Sequence, residues 1–279
     1  MSSEPGVFGP HELGALVWFY DMHGYATLRG LLTESDVAAV ERECTAAQQA
    51  VIAGELDIRH GSTVFLDEEA KAQRFANYVE YVSEISPAVR AAVTHPVLAD
   101  AMARLLGERA WLRAHEQFGV VYQDARPGRE SGYTRIGWHS DWQAGPSLDV
   151  WPSTAFTIHI DGTSPANGFL RVVPGSHLWA TPAPYRNVNG VEVPATARPA
   201  GGRTDRPPPF DMPLRFEKVP GEVAVYAERG DILLHDCYLW HSAARATDDD
   251  SRRRHVRGGY FGGTKPAAGV EEFIKNAAR

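Results

Sequence analysis

From Trp111 onward the chain is a succession of short β-rich runs, separated by turns of glycine, proline or asparagine. These runs cover residues 112–123, 154–161, 169–173, 222–227, 231–235 and 253–261. Many short strands with turn signals between them are typical of a closed or double-layered β architecture. We therefore expect a mainly β fold with α: a double-stranded β-helix core, or jelly roll of the cupin-like type, with an N-terminal helical layer against it.

The chain before this region carries helix signals. His23 to Gly30 predicts a short strand, and Thr33 followed by Asp36 resembles an N-cap with an acidic first turn. Gly107 is placed to end a helix. Helices are expected over three ranges: 34–53, 67–82 and 96–106.

These elements predict a single domain over residues 1–279. The helical layer would occupy about 1–110 and the jelly-roll core about 111–262. Residues 181–215 interrupt this succession of short strands, because their prolines prevent a regular helix or a central strand. We expect an insertion between strands, either a flap over the active site or a disordered loop.

Composition excludes several classes of protein. The 279 residues are 43% hydrophobic and 23% charged, which is ordinary for a globular protein. A net charge of −7 gives no indication that the chain binds nucleic acid or an anionic membrane surface. No apolar run is long enough to span a bilayer, and the start lacks the features of a signal peptide. We expect a cytoplasmic protein with a small-molecule partner, and reduced, buried Cys44 and Cys237; oligomeric state is left open.

A candidate metal site stands in the middle of the β region. His139 and Asp141 form a His-x-Asp pair, which places an imidazole and a carboxylate on one side of an extended strand. His241, from a distant strand, would complete three ligands on one face of a metal. Two histidines and one carboxylate with open positions form the facial triad of non-haem Fe(II) oxygenases. His235 and His255 are competing ligand candidates.

With its flanking motifs, the chain resembles the phytanoyl-CoA dioxygenase family of Fe(II)- and 2-oxoglutarate-dependent oxygenases. The matching pieces span about residues 20–262 in the family's order. They are His23-Gly24-Tyr25, Gly137-Trp138-His139-Ser140-Asp141, the block 165–177 ending in Pro174-Gly175-Ser176-His177, Gly230-Asp231-Ile232-Leu233-Leu234, His241 and the arginines at 252–254.

The resemblance implies that His139, Asp141 and His241 bind iron and are catalytic. It also implies 2-oxoglutarate as cosubstrate and dioxygen as oxidant, and hydrogen abstraction from a bound substrate. An arginine at the start of the last core strand would bind the far carboxylate of 2-oxoglutarate through its planar fork. Spacing from the distal histidine favours Arg252, whereas strand register favours Arg253, and we prefer Arg253.

Other contacts are less constrained. The family's serine two positions after the distal histidine is Ala243 here, so that cosubstrate hydrogen bond is either missing or supplied by Thr157 or Ser242. Trp142, His115 and Trp240 are candidate substrate contacts.

The substrate expected by family habit is a small bacterial natural-product intermediate, and the expected outcome is hydroxylation. Epimerisation, desaturation and ring closure stay open as alternatives. Two rival classes are a jelly-roll metal-binding protein without catalysis, which does not need the late arginine, and a zinc hydrolase, for which no general base stands out.

Overall fold

The structure, a computed structural model, describes residues 4–61, 64–67, 73–76, 78–122, 137–182, 185–188, 191–194, 200–213, 215–244, 246–248 and 251–267. Its α-helices are α1 Leu13–His23, α2 Glu34–Ala53, α3 Val82–Ile85, α4 Pro87–Val93 and α5 Pro96–Leu106. Its strands are β1 Val7–Phe8, β2 Tyr25–Leu28, β3 Val64–Asp67, β4 Gln73–Ala76, β5 Tyr78–Glu80, β6 Trp111–Leu112, β7 Gln117–Tyr122, β8 Ser153–His159, β9 Leu170–Val172, β10 Thr181–Pro182, β11 Tyr185–Val188, β12 Val191–Pro194, β13 Ala200–Gly201, β14 Val223–Val225, β15 Ile232–Asp236, β16 His241–Ala243 and β17 Arg252–Phe261.

Two sheets build the core. The larger has the order β1-β2-β15-β8-β17-β7-β5, with β6 also paired to β17, and the smaller has the order β14-β9-β16. The chain passes back and forth between them, since β8, β15 and β17 belong to the larger sheet and β9, β14 and β16 to the smaller. Antiparallel strands that alternate between two sheets form a jelly roll. The expected fold class, mainly β with α and an N-terminal helical layer, is confirmed.

One face of the larger sheet packs against the helical layer. Leu16 of α1 and Met102 of α5 are fully buried in one apolar cluster with Phe156 of β8 and Val256 of β17. Each such side chain contributes roughly 1.5–3 kcal/mol by leaving water. Tyr260 adds a hydrogen bond from its hydroxyl to the Val93 carbonyl, 2.7 Å. Because side chains alternate along β17, the opposite face of the sheet is left for other uses.

Two of the three expected helices form with the expected bounds. The helix over 34–53 begins with a capping box, in which Thr33 Oγ1 accepts from the Asp36 backbone and Asp36 accepts from the Thr33 backbone. The helix over 96–106 ends at Gly107, whose N–H donates to the Ala103 carbonyl. Local signals were sufficient for both.

The helix expected over 67–82 is wrong. The described residues there form β3, β4 and β5 and only the first residue of the short helix α3. Strand β5 pairs antiparallel with β7 at the end of the larger sheet, with Val79 opposite Phe118. This long-range pairing overrides the local helix propensity. Helices α1 and α4 were not expected.

The proline-rich segment 181–215 contains short strands where it is described. β11 and β12 pair antiparallel with each other, and β10 pairs antiparallel with β13. Residues 183–184, 189–190, 195–199 and 214 lie outside the described residues, and the expectation of a flap over the active site stays a prediction. Among the described helices, none combines the length and apolar character needed to cross a bilayer.

An ion pair between a half-buried arginine and a buried carboxylate joins the first strands of the chain to the core. Arg29, just after β2, donates through Nε and Nη2 to Asp231, which precedes β15 and is 1% exposed, over 2.8–3.2 Å. Arg29→Met should lower the free energy of unfolding by about 3 kcal/mol, because the buried carboxylate loses its counter-charge. Arg104→Met is the control. It removes an exposed pair with Asp100 worth about 0.5 kcal/mol. Equal losses for the two variants in urea denaturation would contradict this account.

Candidate metal centre

The two histidines of the expected triad are joined through their backbones. His139 donates its N–H to the His241 carbonyl at 3.1 Å, and His241 donates to the His139 carbonyl at 2.9 Å. This antiparallel bridge attaches residue 139 to the edge strand β16. Directly paired residues project to the same side, and the two imidazole centroids are 4.2 Å apart.

Each imidazole is oriented by its own chain. The Nδ1 of His139 lies 2.8 Å from the Gly137 carbonyl, and the Nδ1 of His241 lies 2.9 Å from the Leu239 carbonyl. A carbonyl can only accept, so Nδ1 carries the proton in both rings. Both Nε2 lone pairs are therefore available to one metal ion, which is the arrangement that orients metal-binding histidines.

Asp141 opens a short 3₁₀ turn, Asp141–Ala144, that directs its carboxylate toward both rings. Its Oδ1 lies 3.7 Å from His241 Nε2 and 4.0 Å from His139 Nε2. The three ligand atoms lie within 4.8 Å of one another. The other oxygen, Oδ2, is 3.1 Å from His235 Nε2. His235 thus holds one carboxylate oxygen and leaves the other facing the histidines.

Electrostatics favours the protonation states that a metal needs. Burial lowers the pKa of His139 and lowers that of His241 further, with the neighbouring histidines adding to the effect on His241. Burial opposes ionisation of Asp141, but the hydrogen bond from His235 and the nearby His241 hold its pKa below the ordinary range. Two neutral imidazoles and one carboxylate fit a divalent cation of intermediate hardness such as Fe(II).

The triad borders a cavity of about 730 Å³. One wall is the face of the larger sheet opposite the helical layer, and the strand pairing arranges this face in rows. His235 lies in line with Ala155 and Gly259. Moving along β17 toward its start, the wall then presents Arg257, His255 and Arg253 in turn. The triad stands over one end of this series, and Arg253 stands at the other.

The arginines at 252–254 lie on alternate faces of β17. Arg253 is buried, 6% exposed, and lines the cavity. Arg252 is exposed on the other face of β17, and Arg254 on that same face is paired with Asp161 and Glu41. The expectation based on register therefore agrees with the placement of Arg253. Thr157, the other candidate cosubstrate contact, lines the cavity opposite Arg257.

A buried histidine with unmet hydrogen bonds lies beside Arg253. His159 lines the cavity, and neither of its ring nitrogens has a hydrogen-bond partner among the residues that the structure describes. Burial and then Arg253 lower its pKa to about 3, while the Asp161 backbone acts in the opposite direction, so the ring is neutral at neutral pH. A buried polar group left without a partner is costly unless a ligand or water satisfies it. An anion beside Arg253 would accept from this ring.

The expected substrate contacts are only partly brought together. His115 lines the cavity. Trp142 does not: it is fully buried, and its indole packs against Gly201, where any side chain would collide with it. Trp240 packs in an apolar cluster with Trp138, and its Nε1 donates to Thr181 Oγ1 at 2.9 Å. The expectation that these two tryptophans contact substrate is not supported by their placement.

Three cavity residues were missed or misassigned from sequence. His235 was weighed only as a rival ligand, whereas it contacts a ligand's carboxylate. Arg257 lies on the same parity as Arg253, a signal that the alternation of β17 contained. Arg113 also lines the cavity, and nothing in its local sequence marked it.

One curated sequence relative is the condensin-2 complex subunit H2 of Bos taurus, 32% identical over 88 residues. That alignment covers 32% of this chain and 13% of the bovine protein. The chain thus spans about an eighth of that relative, and the likeness is local.

Three solved structures share the fold along most of their length. EctD from S. alaskensis, with 2-oxoglutarate and 5-hydroxyectoine, has a TM-score of 0.60 at 18% identity, over 88% of this chain and 75% of that one. The epimerase SnoN, in complex with Fe3+, alpha-ketoglutarate and nogalamycin RO, gives 0.59 at 22%, over 90% and 84%. The carbocyclase SnoK from nogalamycin biosynthesis gives 0.57 at 22%, over 88% and 82%.

The sequence also matches one protein family, described as phytanoyl-CoA dioxygenase (PhyH), over residues 20–254. This range contains all three triad residues and both sheets, except for β1 and the part of β17 that follows Arg254. The resemblance drawn from the motifs is confirmed: the chain belongs to the phytanoyl-CoA dioxygenase family of Fe(II)- and 2-oxoglutarate-dependent oxygenases.

Proposed function

We propose that this chain oxidises a small molecule, a bacterial natural-product intermediate, by hydrogen abstraction and hydroxylation. The observation that carries the proposal is the convergence of His139, Asp141 and His241 at a cavity that also contains the buried Arg253. A metal-binding protein without catalysis would need the triad alone. A buried arginine beside an unsatisfied histidine is what a bound dicarboxylate requires in addition.

His139 and His241 would hold Fe(II) through Nε2, and Asp141 through Oδ1. When bound, iron and 2-oxoglutarate supply the activation of dioxygen that removes a hydrogen atom from the substrate. The chain's own residues keep the ligand set in place. The Gly137 and Leu239 carbonyls fix the two rings, and His235 fixes the carboxylate.

Arg253 would bind the distal carboxylate of 2-oxoglutarate with two parallel N–H donors. His159 is placed to donate one more hydrogen bond to the same anion, which would satisfy a ring nitrogen that has no partner among the described residues. Thr157 lies between Arg253 and the triad along the wall, where its hydroxyl could bind the middle of the cosubstrate.

The reaction outcome is proposed from chemistry and from relatives. Hydroxylation needs no group beyond those already placed. Relatives of the same fold include the epimerase SnoN and the carbocyclase SnoK, so epimerisation, desaturation or ring closure by the same cofactors is the alternative. The nogalamycin context of these two relatives supports a natural-product substrate.

Removal of one triad histidine should abolish tight metal binding. His139→Ala or His241→Ala is expected to weaken Fe(II) or Co(II) binding by more than about 100-fold, beyond the 10- to 100-fold loss typical of an outer partner. His235→Phe is expected to lose only about 10-fold, because it orients a ligand. Anaerobic Co(II) titration followed by absorbance measures all three, and circular dichroism checks the fold.

His11→Ala, at an exposed position, is the control for removing a histidine. Equal losses for His235→Phe and His241→Ala would show that His235 is itself a ligand. Unchanged affinity in His241→Ala would overturn the triad.

Arg253→Lys should weaken 2-oxoglutarate binding selectively. Lysine keeps the charge and loses the bidentate fork, at a cost of roughly 1.5–3 kcal/mol, or about 10- to 100-fold in affinity. The measurement is the dissociation constant of 2-oxoglutarate for the anaerobic Fe(II) enzyme, from its charge-transfer absorbance. Arg252→Lys, on the exposed face, should change it by less than about twofold. A larger effect in Arg257→Lys than in Arg253→Lys would move the assignment to Arg257.

A further inference from the structure

A short part of the proline-rich segment, residues 200–203, packs behind the metal centre. The structure describes all four of these residues, and none of them lines the cavity. The cavity itself has two ends, one at Arg253 and one beyond the triad, at Leu148 and Trp151. Residues 200–203 belong to neither end, so any effect that they have on the site must pass through another residue.

The first contact of this part is with Trp142, the residue that follows Asp141. Trp142 is 1% exposed, and its indole lies directly against Gly201, which is itself buried. A Cβ atom at residue 201 would overlap ring atoms of the indole. Gly201 has no left-handed φ, so glycine is required here for space alone. The backbone at residue 201 thus forms the surface on which the indole rests.

The backbone of Trp142 is held by the strand that leads to the distal histidine. Trp142 donates its N–H at 2.9 Å to the carbonyl of Cys237, which directly follows β15. Two residues earlier, on β15 itself, His235 Nε2 lies 3.1 Å from Asp141 Oδ2. The end of β15 therefore holds the carboxylate and the backbone next to it, and the indole is left to be held by Gly201.

An ion pair ties residues 200–203 to that same end of β15. Arg203 donates to Asp236 Oδ2 through Nε at 2.9 Å and through Nη2 at 2.6 Å. The Asp236 side chain is fully buried, whereas 31% of the Arg203 side chain is exposed. Because a buried carboxylate without a counter-charge is strongly unfavourable, Asp236 keeps Arg203 in place. The backbone N–H of Arg203 also donates to the His177 carbonyl at 2.9 Å.

These contacts close a ring around the turn that carries the metal-binding carboxylate. Cys237 holds the backbone of Trp142, and the residue before Cys237, Asp236, holds Arg203. Two residues before Arg203, Gly201 packs on the indole and completes the ring. In a closely packed interior a displaced group moves its neighbours. A shift at Gly201 or the loss of Arg203 should therefore move the indole, and the adjacent carboxylate with it.

We propose that Gly201 and Arg203 position Asp141 for the metal ion, Gly201 by fixing the Trp142 indole and Arg203 by anchoring the backbone around Gly201. Both are positioning residues, since neither lines the cavity. The inference rests on the proposed function, because it takes Asp141 as a metal ligand. It gives part of the proline-rich segment an effect on the metal that needs no contact with substrate.

The first test adds one methyl group under the indole. Gly201→Ala should weaken Co(II) binding about 10-fold or more, the loss typical of an outer partner of a metal ligand. The visible absorption bands of bound Co(II) should also shift, because they depend on the geometry of the ligands. In a Trp142→Leu background, which lacks the indole, Gly201→Ala should change the affinity by less than about twofold. Anaerobic Co(II) titration of the full chain measures both the affinity and the bands.

Gly262→Ala is the matched control. Its added Cβ would lie 2.9 Å from the carbonyl of Leu106, the last residue of α5, and meets neither Trp142 nor residues 200–203. It should lower the midpoint of urea denaturation and leave the Co(II) affinity and bands unchanged. Equal losses of Co(II) affinity in Gly201→Ala and Gly262→Ala would overturn the proposal. So would a loss in Gly201→Ala that persists in the Trp142→Leu background, or no loss at all.

The second test removes the anchor without adding volume, so it does not depend on the folding of Gly201→Ala. Arg203→Met should weaken Co(II) binding about 10-fold, and Arg203→Lys, which keeps the charge, should recover part of that loss. Arg206, exposed in the same segment, gives the control variant Arg206→Met, which should bind Co(II) as the unaltered protein does. Unchanged affinity in Arg203→Met would overturn the role of Arg203. If the unaltered protein binds no Co(II), the proposed function fails, and this inference fails with it.

Discussion

Two backbone hydrogen bonds, between His139 and His241, are the constraint on which the site depends. They join the edge of the smaller sheet to a chain segment that enters from a different part of the sequence. Once this bridge forms, the two imidazoles are held close to each other. The orientation of each ring is then fixed by its hydrogen bond to the carbonyl two residues before it. Asp141 follows His139 by two residues and opens the next turn. The metal centre is therefore a product of strand pairing, and its geometry is as rigid as the jelly roll that carries it.

A second constraint is the parity of β17. Its even-numbered residues Val256 and Tyr260 pack against the helical layer, so its odd-numbered residues must face the cavity. A shift of one residue would bury Arg252 and Arg254 in the cavity and expose Val256, at the cost of the apolar core. Hydrophobic packing on one side of the sheet thus decides which arginine reaches the cosubstrate on the other.

The sequence was informative where the signal is local. The helices over 34–53 and 96–106 are delimited by their capping residues. The triad is marked by a compact His-x-Asp motif and one distant histidine. It failed over 67–82, where pairing of β5 with β7 decides the conformation. The prediction that Arg253 faces the cavity needed only the alternation of side chains along one strand. The position of Arg113 and the contact of His235 with Asp141 depend on how separate strands align. The burial of Trp142 depends on its packing against Gly201. No local sequence pattern encodes either of these.

The division of the cavity into two ends has a consequence for how such a protein can diverge. The cosubstrate end is built by β17 and β8, whose other faces form the core, so changes there endanger the fold. The opposite end is lined by Phe261 at the very end of β17 and otherwise by residues of 111–115 and 148–151, which lie outside the central strands. Replacements in these segments can reshape what is accepted while the iron and 2-oxoglutarate contacts are inherited unchanged. Enzymes that descend from one jelly roll can then change their substrate while they keep the same iron and 2-oxoglutarate site.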